Sequence, residues 1–175
     1  IGYVGKAKLE PMLKANNEIP PTVVQVNTLR TSCEQLKAKL EEEGVSVKAH
    51  SWMTDCLVLS GTGSIEQLDS FQKGLFYVQD ISSMMVAEIA APEKGNYIID
   101  VCAAPGGKSS HLAEKMEGTG TVEARDLTEY KVSLIEENIE RHGLKNMNAV
   151  QMDATLYDEA SKEKADVLIC DLPCS

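Results

Sequence analysis

From residue 96 onward the chain alternates short apolar runs with amphipathic ones, and few folds accept that rhythm. Asn96 to Cys102 (NYIIDVC) reads as a buried strand and Gly107 to Met116 as a helix. Gly120 to Ala124 is a second strand, Thr128 to His142 a second helix ended by Gly143, and Met147 to Gln151 a third strand. Asp153 to Glu159 is a short turn or helix, and Ala165 to Cys170 (ADVLIC) a fourth, fully apolar strand. Strands alternating with helices form a parallel sheet with right-handed crossovers. Ligands bind such sheets at the carboxyl ends of the strands. Asp100, Asp126, Asp153 and Asp171 all fall at or just after such an end, and the fold alone does not require four carboxylates at one rim.

The residues before this rhythm read as a small α+β unit. Ala7 to Asn17 is helix-like, and Pro20-Pro21 stop it because proline cannot continue the helical ladder. Thr22 to Thr28 is β-branched and strand-like. Ser32 to Glu43 is a helix with Leu36 and Leu40 on one face, a capping serine and Gly44 at its end. Val45 to Ala49 and Cys56 to Ser60 are strand candidates, and Ile65 to Leu68 is a short helix. The order suggests a compact RNA-recognition-like module, although the aromatic signature of such modules is missing. Leu75 to Gln79 carries the chain across to a helix over Ile81 to Ala91. We therefore expect two domains, a small RNA-binding α+β module over residues 1–74 and a parallel-sheet domain over 75–175.

Composition narrows the function classes. The 17 basic and 27 acidic residues give a formal charge of −10, the wrong sign for a protein that coats nucleic acid. The excess is uneven: 8 basic and 9 acidic residues up to Gln79, then 9 and 18. Arg30, Lys37, Lys39 and Lys48 could give the front module a local basic face, or be ordinary solvated charges diluted by Glu41 to Glu43. No apolar run approaches the roughly 18 residues of a membrane span, so a cytoplasmic protein with no membrane partner is expected. The cysteines (Cys33, Cys56, Cys102, Cys170 and Cys174) are odd in number and form no C-x-x-C pair, which favours reduced thiols over a disulfide framework and argues against a metal site.

The chemistry sits in the back half. Asp100 to Ser109 (DVCAAPGGKS) joins a strand to a helix through small residues and two glycines, which let a ligand touch the backbone and let amides point at it. A tight strand-to-helix turn is the plain alternative. A phosphate-binding G-x-x-x-x-G-K-[ST] loop would need glycine where Cys102 stands, and the G-x-G-x-x-G fingerprint is absent. Asp126 is placed to accept ribose hydroxyls and Asp153 to accept from an adenine amino group, though each alone is an ordinary helix cap. Together they describe a nucleoside pocket without a phosphate site, and S-adenosylmethionine is such a ligand. After the last strand comes Asp171-Leu-Pro-Cys174-Ser175. A carboxyl there can hold N3 of a pyrimidine, and a nearby thiolate can attack C6 or help release a covalent product.

DVCAAPGGKS followed by ICDLPCS resembles the Sun/Fmu group of RNA cytosine-5 methyltransferases. LKANNEIPPTVVQVNTLR and the later FYVQDISSMM are similar to the RsmB-type enzymes that act on bacterial 16S rRNA. The resemblance implies a Rossmann-like S-adenosylmethionine-dependent methyltransferase core behind a small α+β module. It implies that Cys102, Ala103, Ala104, Pro105, Gly106, Gly107 and Lys108 form the cofactor loop. Asp126 would be the ribose contact and Asp153 the adenine-side contact. Asp171 would lie by both cofactor and target cytosine, with Lys108 also reaching the base. Cys174 would help break the covalent enzyme–RNA adduct. The family's attacking cysteine follows a threonine on the next strand, and this sequence has no Thr-Cys pair. The family's sheet has seven strands and four are expected here. The chain therefore reads as a fragment, inactive alone, whose open sheet edge could pair two copies. RNA, 16S rRNA first and tRNA second, is the partner implied. A cofactor- or RNA-binding module without catalysis is the other class left open.

Overall fold

The computed structural model describes residues 5–17 and 20–172. Its elements run α1 (Lys6–Asn16), β1 (Thr22–Val26), α2 (Cys33–Glu42), β2 (Ser46–Ala49), β3 (Cys56–Ser60), α3 (Asp69–Gln72), β4 (Phe76–Val78), α4 (Ile81–Ala90), β5 (Tyr97–Asp100), α5 (Gly107–Lys115), β6 (Thr121–Asp126), α6 (Glu129–His142), β7 (Met147–Gln151) and β8 (Val167–Ile169). The expected short helix at Ile65 is a single 3₁₀ turn, Ile65–Gln67. A second such turn, Glu159–Ser161, starts later than the turn expected from Asp153.

Two four-stranded sheets result. The first has the order β2-β3-β1-β4 with every pairing antiparallel. It takes its fourth strand from residues beyond 74: Val24 faces Val78 and Val26 faces Phe76. The second has the order β7-β6-β5-β8, all parallel, the α/β core that the alternation demanded. Helix boundaries follow local chemistry. Ser32 caps α2 by accepting from the Gln35 amide while the Gln35 side chain accepts from the Ser32 amide, a reciprocal pair that satisfies two otherwise free donors. Asp80 caps α4 and Thr128 caps α6 in the same way from their side chains.

Each sheet has its own apolar core. In the first, Val24, Val26, Leu57, Leu59 and Phe76 pack with Leu36 and Leu40 of α2. In the second, Ile98, Val122, Ala124, Leu112, Ile135 and Met147 form the centre. Side chains alternate across a strand, so the first sheet has a second face. It holds Cys56, Gln25 and Tyr77 side by side across three strands, at 1%, 1% and 4% exposure. That face is not open to solvent. Met84 of α4 packs on it with Met53, Cys56, Val23 and Ile81, and the Tyr77 ring lies 4.9 Å from that of His142 at the end of α6. The face through which an RNA-recognition-like module would present bases is therefore covered by helices of the second sheet.

Hydrogen bonds close the same seam. The Asn27 amide donates to the carbonyls of Gly74 (2.9 Å) and His142 (3.0 Å). Arg30 donates to the carbonyls of Lys73 (2.6 Å) and Arg141 (3.1 Å), and the Arg141 guanidinium sits 4.0 Å above the Phe71 ring. Gly74 is required here. It has a φ of +63°, and a Cβ on it would overlap the Arg141 carbonyl. Gly74→Ala is expected to lower the stability of the chain by about 2 kcal/mol or more, from backbone strain plus loss of the seam, read as a lower urea midpoint.

Candidate functional site

The loop from β5 to α5 is built around a buried carboxyl. Asp100 is 1% exposed, accepts from the Ser109 hydroxyl at 2.6 Å and faces the Cys102 amide at 3.4 Å. Both ends of the loop are thus tied to one side chain. Burial pushes the Asp100 carboxyl above the ordinary range, against the hydrogen bonds from Ser109 and Cys102 that favour its charged form. Asp100 is a brace for the loop and is not among the residues that line the adjacent pocket, which corrects its expected place among the charges around a ligand. The Ala103 amide donates to the Arg125 carbonyl at 2.8 Å and the Gly106 amide to the Ala103 carbonyl at 2.7 Å. Gly106 turns the chain into α5 with a φ of +104°, a value that side-chain-bearing residues avoid. The first amides of α5 have no partner within their own helix, and Gly107 and Lys108 face the pocket.

That pocket has a volume of about 600 Å³. Of the expected site residues, Cys102, Ala103, Ala104, Pro105, Gly107, Lys108, Asp126 and Asp171 line it. Asp126 is 2% exposed. Its Oδ1 accepts from the Leu127 amide at 2.8 Å and pairs with the Lys131 ammonium at 3.0 Å. Its Oδ2 accepts from the Ala104 amide at 3.1 Å. Burial works against the charged form, but the Lys131 bond and the two amides prevail and hold the carboxyl below its usual value. Lys108 pairs with Asp171 at 2.6 Å across the mouth. Burial, reinforced by the charge of Asp126, raises the Cys102 thiol above its ordinary value, an environment that does not activate it as a nucleophile.

Asp153 lies in a second pocket of about 570 Å³, with Leu127 and Met152, which shares Cys102 and Leu172 with the first. Its Oδ1 accepts from the Thr155 amide (2.8 Å) and hydroxyl (2.7 Å), and those bonds keep it ionised. The two pockets adjoin at Cys102 and Leu172 and make up a two-part cleft near the carboxyl ends of β5, β6 and β7. Cys174 lies outside the described residues. Among the described residues no cluster of His, Cys, Asp or Glu could hold a metal ion, and no helix is long and apolar enough to cross a membrane.

Two sets of lining residues escaped the sequence reading. Val78, Gln79, Asp80 and Ser83 form the wall opposite the glycine loop, brought there by β4 and the first turn of α4. Lys131 is the other. A lysine in the first turn of a helix opposes the helix dipole, and that misplacement after Asp126 was the available signal. The expected basic face of the front module is largely used up. Arg30 serves the seam, Lys37 pairs with Glu41 and Lys39 with Asp69, leaving Lys48 exposed on β2.

The model of the 16S rRNA methyltransferase RsmB/F family matches residues 87–175. This chain belongs to that family. A companion model, the ferredoxin-like domain of RsmF/B-like methyltransferases, matches residues 4–66, in keeping with the first sheet. Within the RsmB/F family, the probable ribosomal RNA small subunit methyltransferase B of Bacillus subtilis is 38% identical over 159 residues, 90% of this chain and 35% of that protein. The tRNA (cytosine(72)-C(5))-methyltransferase of Pyrococcus horikoshii is 41% identical over 112 residues, 64% of this chain and 28% of that one. The crystal structure of PH0851 superposes with a TM-score of 0.92 at 29% identity, covering 99% of this chain and 39% of the other. The chain spans about a third of the length of the curated RsmB/F relatives it matches.

The brace at the loop is testable by itself. Ser109→Ala removes the hydroxyl that serves the buried Asp100 carboxyl, and should cost about 1–3 kcal/mol in a urea titration at neutral pH.

Proposed function

We propose that the protein containing this chain transfers a methyl group from S-adenosylmethionine to C5 of a cytosine in RNA, with 16S rRNA the first substrate. What carries the reading is the cleft. A glycine loop with helix-start amides, a buried carboxylate at the end of β6 and a half-buried one just after β7 line two adjoining pockets that share Cys102 and Leu172. The residues fit an adenosine with an amino-acid tail. Asp126 keeps an acceptor site on Oδ2 beyond the Ala104 amide, suited to a ribose hydroxyl. The pocket around Asp153 is walled by Leu127 and Met152, as a purine face requires. The tail would run along Gly107 and Lys108, where the α5 amides favour a carboxylate. When bound, the cofactor supplies an electrophilic methyl group.

The chain's own side chains would then orient the base. Asp171 is half exposed and bridged to Lys108, so its free oxygen can accept from the cytosine edge and hold a proton at N3. Lys108 holds the Asp171 carboxyl at the mouth. Val78 and Ser83, on the opposite wall, exclude water from one side of the base. Cys174 is assigned to release of the covalent product, as the resemblance implies. The relative named for tRNA cytosine 72 supports tRNA as the second reading, and the cytoplasm is the setting either substrate implies. The edge of β8 carries Leu168 at 57% exposure beside Ile89 of α4 at 76%, and we place any self-association of the chain there.

Calorimetry with S-adenosylhomocysteine tests the cofactor assignment. The chain should bind it, and Asp126→Ala should bind at least about tenfold more weakly, the loss of one charge-assisted hydrogen bond. Equal affinities would remove the ribose role. Bisulfite sequencing of rRNA and tRNA from a deletion strain should show one 5-methylcytosine lost from 16S rRNA.

A further inference from the structure

The seam between the two sheets contains a set of buried polar atoms that the proposed reaction does not use. Glu114 of α5 is 2% exposed, Gln25 of β1 1%, Tyr77 of β4 4% and His142 of α6 1%. Among the described residues, both Glu114 oxygens, the Gln25 Oε1, the Tyr77 hydroxyl and both His142 nitrogens have no hydrogen-bond partner. Gln25 and Tyr77 are direct cross-strand neighbours, and the Tyr77 ring packs on His142. Four elements thus bring unsatisfied polar groups to the seam. Such groups cost free energy unless each finds a partner.

Besides the Gln25 Nε2, which donates to the Val26 carbonyl at 3.4 Å, and the Thr28 backbone, which favours the charged form of Glu114, the side-chain donors at the seam are few. Gln25 Oε1 only accepts. An ionised Glu114 only accepts. Tyr77 and a neutral His142 offer one donor each. No cation compensates a charge on Glu114. The groups facing it are the Tyr77 hydroxyl, Asp55 from the β2–β3 turn and the Thr28 backbone, with His111 one turn earlier on its own helix. Lys115 is next in sequence but is bound by Glu88 of α4 at 2.8 Å. Arg141 and Arg30 act on His142, beyond Tyr77, where with burial they keep that imidazole neutral, its pKa lowered to about 3. A proton on Glu114 removes the uncompensated charge and adds a donor.

We propose that Glu114 is a proton-operated latch between the two units, docking the first sheet on α5 while its carboxyl carries a proton. The same helix begins at Gly107 in the glycine loop, so the latch also fixes the helix that forms one wall of the cleft. Burial drives the Glu114 carboxyl well above its ordinary value, with Asp55 adding to the effect and the Thr28 backbone opposing it. The sign follows. The docked state holds a proton that the opened, hydrated carboxyl releases above its ordinary pKa. Opening therefore becomes easier as pH rises through the window between the two values, about tenfold per pH unit. This inference stands apart from the methyl-transfer reading.

Cys56 reports opening, because it lies on the covered sheet face at 1% exposure. Alkylation of Cys56 would be followed by peptide mass mapping at about pH 6 and about pH 8, in the wild-type chain and in Glu114→Gln. Comparing the two proteins at the same pH cancels thiolate formation and the histidine contributions. The wild-type rate relative to the variant should grow between those two pH values, and Glu114→Gln should be the slower to react at the higher pH. A ratio independent of pH overturns the latch. Should the variant fail to fold, carboxyl-labelled infrared spectra of Asp100→Asn, which removes the other buried carboxyl with a raised pKa, decide: a buried protonated-carboxyl band at neutral pH supports the latch, and only carboxylate bands refute it.

Discussion

Burial of the second face of the first sheet is the constraint on which the rest depends. A four-stranded antiparallel sheet with one helix layer leaves half of its side chains exposed. Here that half is occupied by α4, α5 and the end of α6. The covering elements are the ones that begin and end around the ligand cleft. α4 starts at the wall formed by Asp80 and Ser83, and α5 starts at the glycine loop. The front unit is therefore part of the scaffold of the site, and on the proposed reading any RNA contact by that unit would use surfaces other than the sheet face an isolated module would offer.

Much of this was legible in the residues. The alternation from Asn96 to Cys170 gave the parallel sheet because periodicity is a local signal that burial on both faces reinforces. The four rim aspartates were found because a strand's end is marked by its sequence. Their separate duties were not. Asp100 and Asp126 look alike on paper, yet Asp100 turns inward to Ser109 while Asp126 faces the cleft with Lys131 beside it. Only the register of the loop against β6 decides that. The contribution of Val78 to Ser83 was hidden for a related reason. Those residues reach the cleft through pairing of β4 with β1, some fifty positions earlier in the chain, and no local pattern records such a partner.

The polar seam was equally hidden. Gln25 sits in a β-branched strand and Glu114 in an amphipathic helix, where each reads as a solvent-facing residue. Packing of one sheet's face against the other unit's helices overrides that pattern. The cost is a set of buried polar atoms without partners, tolerable because Asn27, Arg30 and the Phe71–Arg141 contact hold the same seam.

The cleft shows one more consequence. Two of its carboxylates arrive with resident counterions, Asp126 with Lys131 and Asp171 with Lys108. Near these neutral couples the local field that would favour a sulfonium over a thioether is weak. On the proposed reading, fresh and spent cofactor differ little in their attraction to these two pairs, so turnover would be throttled by accumulating S-adenosylhomocysteine unless the cell clears it.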